Sequence, residues 1–428
     1  MQVVVVALGK IGLPLAVQIA RSGHSVVGCD INAEVVELVN SSQPPFPGET
    51  GLDEALAEVI ASGALRAQVN TTAAVAEGPD LVVTVPPLAV DEQASPDWRA
   101  LDAAVAAIGG GLQAGTTVAV ETTLPVGATR SRIAPALAAA SGLTPEQDFF
   151  TIFSPERVFS GRIFADLATY PKLVGGLSEA GEARGVELYS SFIEAEVWAM
   201  GSAEAAELTK LAETTYRDIN IAFANELARF ADGQQIDVGR VIEAANSQPF
   251  SHIHQPGIAV GGHCIPVYPR FYLEGDPDAA LPAAARAVND SMPAYAAQRL
   301  EKALGGLQGA RVLVLGAAYR GGVKETAFSG VFGVTAALKA LGASALVSDP
   351  LYSDQELTAL GLTAWDGEPI DAAIVQTDHA EYAQLSASDL PGARVVLDGR
   401  GILDADSLAA AAVTVELIGR PSSNSPAN

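Results

Sequence analysis

Short, wholly apolar runs alternate with Ala-rich amphipathic stretches through the first 200 residues: Val3–Leu8, Val26–Cys29, Leu81–Val85, Thr117–Val120, Phe149–Phe153, Lys172–Val174 and Val197–Met200. A strand covered on both faces reads as a continuous apolar run, so this rhythm predicts a mostly parallel sheet between two helical layers. From Ser202 to Asp232 the pattern changes. Neither Pro nor Gly interrupts it, and Leu208, Leu211, Ile219, Phe223, Leu227 and Phe230 recur at helical spacing, which predicts one long helix. A second helical stretch at Val238–Asn246, a loop rich in Pro, Gly and His at Pro249–Pro269, and a helix from Leu281 to Leu304 complete a helical middle section. The strand–helix rhythm restarts at Ala310–Gly316, with strands expected at Ala345–Ser348, Ala372–Gln376 and Val395–Asp398. The expected fold is therefore α/β, with two Rossmann-like doubly wound parallel-sheet domains joined by an all-helical centre. The boundaries fall at 1–200, 201–305 and 306–420, and a polar tail with two prolines, 421–428, is expected to fray.

Composition narrows the partners. Hydrophobic residues make up 49% and charged residues 18% of the 428, enough apolar material for compact domains. A net charge of -25, with no run of Lys or Arg, excludes nucleic acid as the expected partner. An anionic ligand would need its own pocket of Arg, Lys and helix N-termini. Two cysteines, Cys29 and Cys264, are too few for a disulfide framework. No apolar run reaches membrane-spanning length and the chain enters a strand at once, so a soluble, cytoplasmic protein without membrane attachment is expected.

The strand Val3–Leu8 runs into Gly9-Lys10-Ile11-Gly12 and an apolar helix, the context in which backbone amides approach a pyrophosphate. Ala7 stands where the fingerprint usually has its first glycine. The second strand ends in Asp30, placed to accept hydrogen bonds from an adenosine ribose, and its charge repels a 2'-phosphate. NAD is the expected cofactor.

The most informative segment is Pro256-Gly-Ile-Ala-Val-Gly-Gly-His-Cys-Ile-Pro-Val-Tyr-Pro269. Gly261 and Gly262 let the backbone come close to a ligand, and the polar setting argues against a core role for Cys264, a thiol that could attack an aldehyde. Ser154-Pro-Glu-Arg-Val158 at a strand end and Lys210 on the long helix are further candidates. His252, His254 and His263 share the loop without a zinc spacing, so no metal is expected.

Taken in order, Leu8-Gly-Lys-Ile-Gly-Leu-Pro14, Glu121-Thr-Thr-Leu-Pro125, Ser154-Pro-Glu-Arg-Val158, Glu207-Leu-Thr-Lys210 through Asn225-Glu226, Gly261-Gly-His-Cys-Ile-Pro266 and Val314-Leu-Gly-Ala-Ala-Tyr319 resemble the UDP-glucose/UDP-N-acetylmannosamine dehydrogenase family along essentially the whole chain. The resemblance implies an NAD domain, a helical dimer-forming centre and a C-terminal nucleotide-sugar domain, hence a homodimer and a UDP-sugar substrate. It implies oxidation of a C6 alcohol to the acid in two hydride transfers, with Cys264 holding the aldehyde as a thiohemiacetal and then a thioester. Lys210 matches the lysine that handles the alcohol proton or an oxyanion, Glu156 the glutamate that activates water, and Thr123 a threonine near the cofactor. Arg217 matches an arginine that holds the nucleotide sugar, and Arg157, Val158, Gly261, Tyr319 and Arg320 fall in its substrate motifs.

Four positions depart from the family pattern: Ala7 for Gly, Thr214 for the Asn one helical turn after the lysine, Tyr268 for an Asp, and Ala327 for an Arg. A Thr214 hydroxyl can still donate to an oxyanion or a water, and Arg320 keeps the charge of the usual lysine. Pro155-Glu-Arg-Val158 followed by Ser160-Gly161 is similar to the N-acetylhexosamine branch, which favours UDP-N-acetylmannosamine over its gluco epimer. The competing readings are UDP-glucose oxidation, a β-hydroxyacid-type dehydrogenase without a covalent step, and a non-catalytic NAD-binding homologue. Asp398-Gly-Arg400 resembles a family segment and reads equally as a structural ion pair.

Overall fold

The computed structural model describes residues 1–91, 95–159 and 161–420; the polar tail 421–428 and Ser160 lie outside the described residues. The chain separates into two compact units, one holding Met1–Glu213 with Arg270–Pro277, the other Thr214–Pro269 with the residues from Asp278 onward.

In the first unit the strands are β1 (Gln2–Val6), β2 (Ser25–Cys29), β3 (Leu65–Gln68), β4 (Leu81–Thr84), β5 (Ala89–Val90), β6 (Pro96–Asp97), β7 (Thr117–Val120), β8 (Phe150–Phe153), β9 (Lys172–Gly176) and β10 (Val197–Ala199). Eight of them form one sheet in the order β10-β9-β8-β7-β4-β1-β2-β3, while β5 and β6 make a separate two-stranded ribbon. All neighbours in the large sheet are parallel except β8 and β9, which pair antiparallel with Ile152 opposite Gly176. The strands β4 and β7 are buried along their whole length, which is why they read as unbroken apolar runs. Leu13, Ile19, Leu56, Leu81, Ile152 and Val174 are fully buried in the core beneath them.

The strand order reverses around β1, whose neighbours are β2 on one side and β4 on the other. Ligands of open parallel sheets are met at such a switch point, beyond the carboxyl ends of the strands. Ala7, Glu121 and Ser154 are the residues that follow β1, β7 and β8, so the sheet itself delivers the candidate motifs to one edge.

The second unit carries β11 (Arg311–Leu315), β12 (Ser344–Ser348), β13 (Ala372–Val375), β14 (Val395–Asp398) and β15 (Thr414–Leu417) in one parallel sheet ordered β12-β11-β13-β14-β15. Helices Val238–Asn246 and Ala280–Leu304 belong to the same unit, with Ile242, Met292, Ala296 and Leu300 buried in its core. The long helix spans Ala203–Gln234, as the spacing predicts, but Leu208, Phe223 and Phe230 on it are exposed. Helix Tyr268–Gly275 takes the end of the stretch expected as loop. Pro269 sits in its first turn, where a missing backbone N–H costs nothing.

No described helix is long and apolar enough to cross a membrane.

Candidate active site

The first helix, Gly12–Arg21, begins without a side-chain cap; Leu13 N donates to the Gly9 carbonyl at 3.1 Å, and the positive end of the helix faces the turn after β1. A Cβ at Gly9 would meet nothing within 4 Å, while one at Gly12 would lie 1.9 Å from the Ala7 carbonyl oxygen. Gly9 thus leaves an open approach and Gly12 permits a tight strand–helix junction. Ala7 makes that turn at φ 76°, a left-handed conformation that costs an L-residue about 1–2 kcal/mol. Asp30 accepts from the Leu8 and Asn32 amides, both at 2.9 Å, one bond per oxygen, which fixes the carboxylate and leaves lone pairs for a ribose. Lys10 and Ile11 are half-buried, Ile11 against the core. These residues fit a dinucleotide.

Beyond β7 and β8 lies a buried cluster of charge. Lys172, only 4% exposed at its side chain, places Nζ 3.0 Å from Glu121 Oε2 and 2.9 Å from Glu156 Oε2. Tyr189 donates its hydroxyl to Glu121 Oε1 at 2.5 Å, and the Arg157 amide donates to Glu156 Oε1 at 2.7 Å. Burial away from water pushes the Glu121 carboxyl up to about 7, with Lys172 opposing. Glu156 is buried too, yet Lys172, the Arg157 amide and Lys210 together hold it below the usual carboxylate range. Lys210 donates Nζ to the Glu156 carbonyl at 2.5 Å. Arg157 pairs with Glu213 and donates to the Pro171 carbonyl at 3.1 Å, while Val158 leans on the core. Thr123 is 5% exposed in the segment after β7, where the Thr122 hydroxyl donates to the Pro86 carbonyl at 2.6 Å.

Glu207, one turn before Lys210 on the long helix, is fully buried and accepts from Gly127 N at 2.5 Å, Thr129 N at 2.9 Å and the Thr129 hydroxyl at 2.6 Å. The segment that carries Thr123 is thereby tied to the helix that carries Lys210. The sequence places Glu121 and Glu207 within motifs without assigning either a role, and its pattern does not single out Lys172 or Tyr189 as site residues. A lysine opening the otherwise apolar strand Lys172–Gly176 is the signal that could have found the cluster, because a buried ammonium requires buried carboxylates.

In the second unit Cys264 is exposed on a loop whose glycines pack on Tyr319. A Cβ at Gly261 would lie 2.6 Å from the Tyr319 Cβ, and Gly262 adopts φ +90° with its amide donating to the Ala327 carbonyl at 2.8 Å. His263 Nε2 meets the Glu325 carboxylate. The Cys264 carbonyl accepts from Tyr268 N at 2.9 Å and so caps the following helix. The long helix holds the upstream part of this loop: Asn220 accepts from His254 N at 2.9 Å, and Asn225 accepts from Gly257 N at 2.9 Å. Burial and the nearby Arg217 charge lower the His254 pKa. Thr214 is 5% exposed on the same helix, and the Arg320 guanidinium lies 5.8 Å from the Tyr319 ring. Arg400 forms no ion pair with Asp398; it donates to the Gln376 carbonyl at 2.6 Å, while Asp398 accepts four amides of its own turn, from Arg400 to Leu403.

The geometry brings Glu156, Lys210 and Arg157 together in the first unit, with Thr123 on a segment tied to the same helix. Cys264, Gly261 and Tyr319 come together in the second, which also carries Thr214, Arg217 and Arg320. Among the described residues no group of three or more His, Cys, Asp or Glu could hold a metal ion.

Three family models match: the NAD binding domain of the UDP-glucose/GDP-mannose dehydrogenase family over residues 1–193, its central domain over 204–291 and its UDP binding domain over 313–405. A UDP-N-acetyl-D-mannosamine dehydrogenase of Pyrococcus horikoshii is 34% identical over 94% of this chain and 96% of its own. An NDP-N-acetyl-D-galactosaminuronic acid dehydrogenase of Ralstonia solanacearum is 32% identical over 95% and 97%. Among solved structures, a UDP-D-ManNAc dehydrogenase from Pyrococcus horikoshii superposes with a TM-score of 0.89 at 32% identity, covering 98% of this chain and 99% of that one. With all three domains matched in order, a cofactor cradle fit for NAD and relatives aligned nearly end to end, the chain belongs to the UDP-glucose/GDP-mannose dehydrogenase family of NAD-dependent nucleotide-sugar dehydrogenases.

Proposed function

We propose that this enzyme oxidises the C6 alcohol of UDP-N-acetylmannosamine to the uronic acid, releasing two NADH per sugar. The observation that carries the choice of sugar is the alignment over 94% of the chain with a relative named for that substrate. The mechanism rests on residues. NAD, when bound, accepts a hydride in each oxidation; Gly9, Lys10, Ile11, Gly12 and Asp30 hold it, and Thr123 borders it.

Lys210 is the cation that steadies the charge developing on the alcohol oxygen as its proton passes to solvent. Cys264 adds its sulfur to the aldehyde carbon, its thiol proton ending on the former carbonyl oxygen as a hydroxyl, and the adduct keeps a reactive carbonyl from escaping. Loss of the second hydride to NAD and of the hydroxyl proton to solvent leaves a thioester on Cys264. Glu156 accepts a proton from water, the hydroxide adds to the thioester carbonyl, the C–S bond breaks and the thiolate departs. Lys210 and the Thr214 hydroxyl steady the oxyanion. Arg157, Val158, Arg217, Gly261, Tyr319 and Arg320 hold the nucleotide sugar. The exposed Tyr216, Phe223 and Phe230, seven residues apart on the long helix, support a homodimer formed through the central helices.

A panel of UDP- and other nucleotide sugars, assayed for NADH formed per sugar consumed, tests this reading. We expect a ratio near two with UDP-N-acetylmannosamine. Equal rates with UDP-glucose would sink the choice of sugar, and a ratio near one would remove the covalent step.

A further inference from the structure

Lys172 opens β9 beneath the water-activating carboxylate of the proposed mechanism, and nothing in that mechanism uses it. Its ammonium is almost completely withdrawn from solvent and is shared between two buried carboxylates, 3.0 Å from Glu121 and 2.9 Å from Glu156. Burying a lysine in this way costs several kcal/mol unless its partners are fixed. They are fixed on every side: Tyr189 from helix Glu179–Ser190 donates to Glu121, and the Arg157 amide donates to Glu156. Lys210 from the long helix donates to the Glu156 carbonyl, and Arg157 is engaged by Glu213.

Resting on the reading of Glu156 as the base for thioester hydrolysis, we propose that Lys172 is a positioning residue for that step and that Glu121 sets how much of its charge Glu156 receives. The arithmetic of charge gives the consequence. With Glu121 protonated, the whole ammonium neutralises Glu156 and the carboxylate is a weak base. With Glu121 ionised, one cation serves two anions and Glu156 takes a proton from water more readily. Burial places the Glu121 ionisation at about 7, where this change lies in the working range. Hydrolysis therefore speeds up as pH rises through the loss of the Glu121 proton. Decay of a preformed thioester needs no new thiolate, so Cys264 does not contribute to that rise.

The test uses the whole enzyme with UDP-N-acetylmannosamine and NAD, reading kcat and KM and the mass of the covalent adduct on Cys264, the substrate less four hydrogens. Glu156→Gln is the control and accumulates the adduct. Lys172→Met leaves Glu156 buried without the Lys172 ammonium beside it, a setting that favours its protonated form. It is therefore expected to accumulate the adduct as well, with kcat lower by about 10- to 100-fold, below the full worth of positioned proton transfer, and KM little changed. Lys172→Arg restores most of the rate. In Glu121→Gln the rise of hydrolysis near pH 7 disappears. Adduct in Glu156→Gln but not in Lys172→Met, or an unchanged pH profile in Glu121→Gln, overturns the proposal and leaves the reading of Glu156 intact. No adduct in Glu156→Gln overturns that reading and the proposal with it. Should Lys172→Met fail to fold, the Glu121→Gln profile decides alone.

Discussion

Glu207 and Thr129 form a two-point contact, the carboxylate taking both the amide and the hydroxyl of one residue, at 2.9 and 2.6 Å, where no water reaches. Gly127 adds a third donor. Removing the acceptor leaves three donors unsatisfied in the interior, so Glu207→Ala is expected to cost about 3 kcal/mol of stability. Because burial raises the folded-state pKa of this carboxyl, its titration contributes stability that is present below the ordinary carboxylate range and lost as pH rises through the raised value. Thermal denaturation of wild type and Glu207→Gln across pH should show their difference drifting against wild type as pH rises. A difference independent of pH would remove this account.

The turn at the NAD cradle makes a sharper prediction. Gly12→Ala drives a methyl into the Ala7 carbonyl, backbone against backbone, and the turn must open. NADH affinity should fall by at least about 10-fold, equivalent to about 1.4 kcal/mol, while UDP binding is unchanged. Isothermal titration with each ligand checks it; equal losses for both would point to general unfolding instead.

These two contacts also mark where sequence reading succeeds and stops. Runs such as Leu81–Thr84 and Val395–Asp398 are buried along their whole length, so their strands are legible from hydropathy alone. The edge strands are not. Leu65-Arg-Ala-Gln68 alternates because only one face is covered, and Thr414–Leu417 hides Glu416 because Arg299 pairs with it. The antiparallel β9 leaves no trace in composition. The exposed setting of Cys264 was legible because its glycine-rich loop is local in sequence. The Glu121–Lys172–Glu156 cluster was not, since its members come from separate strand ends and meet only once the sheet forms.

The exposed stripe on the long helix bears on assembly. Tyr216, Phe223 and Phe230 are 57%, 49% and 67% exposed at a spacing of seven, one face of a helix. Phe230→Glu places a charge in an apolar contact if that face is covered by a second copy. Light scattering should then report about half the wild-type mass, or a dimer that dissociates on dilution. A variant that stays dimeric at low concentration places the interface elsewhere.

The two cysteines offer a direct contrast in reactivity. Cys29 is fully buried at the end of β2, and burial pushes its thiol up to about 11, leaving almost no thiolate at neutral pH. Cys264 is exposed, and its loop is pinned by the Gly262 amide and by Tyr319 packed on the glycines. Iodoacetamide at neutral pH should therefore alkylate Cys264 and spare Cys29, as peptide mass mapping would show. Alkylation at that sulfur should abolish acid formation in step with the fraction labelled. NADH binding should persist, because the groups proposed to cradle the dinucleotide, Gly9 to Gly12 and Asp30, follow β1 and β2 and include no cysteine. Loss of activity running ahead of Cys264 labelling would assign the chemistry to another group, and full oxidation to the acid by Cys264→Ala would return the enzyme to a dehydrogenase without a covalent step.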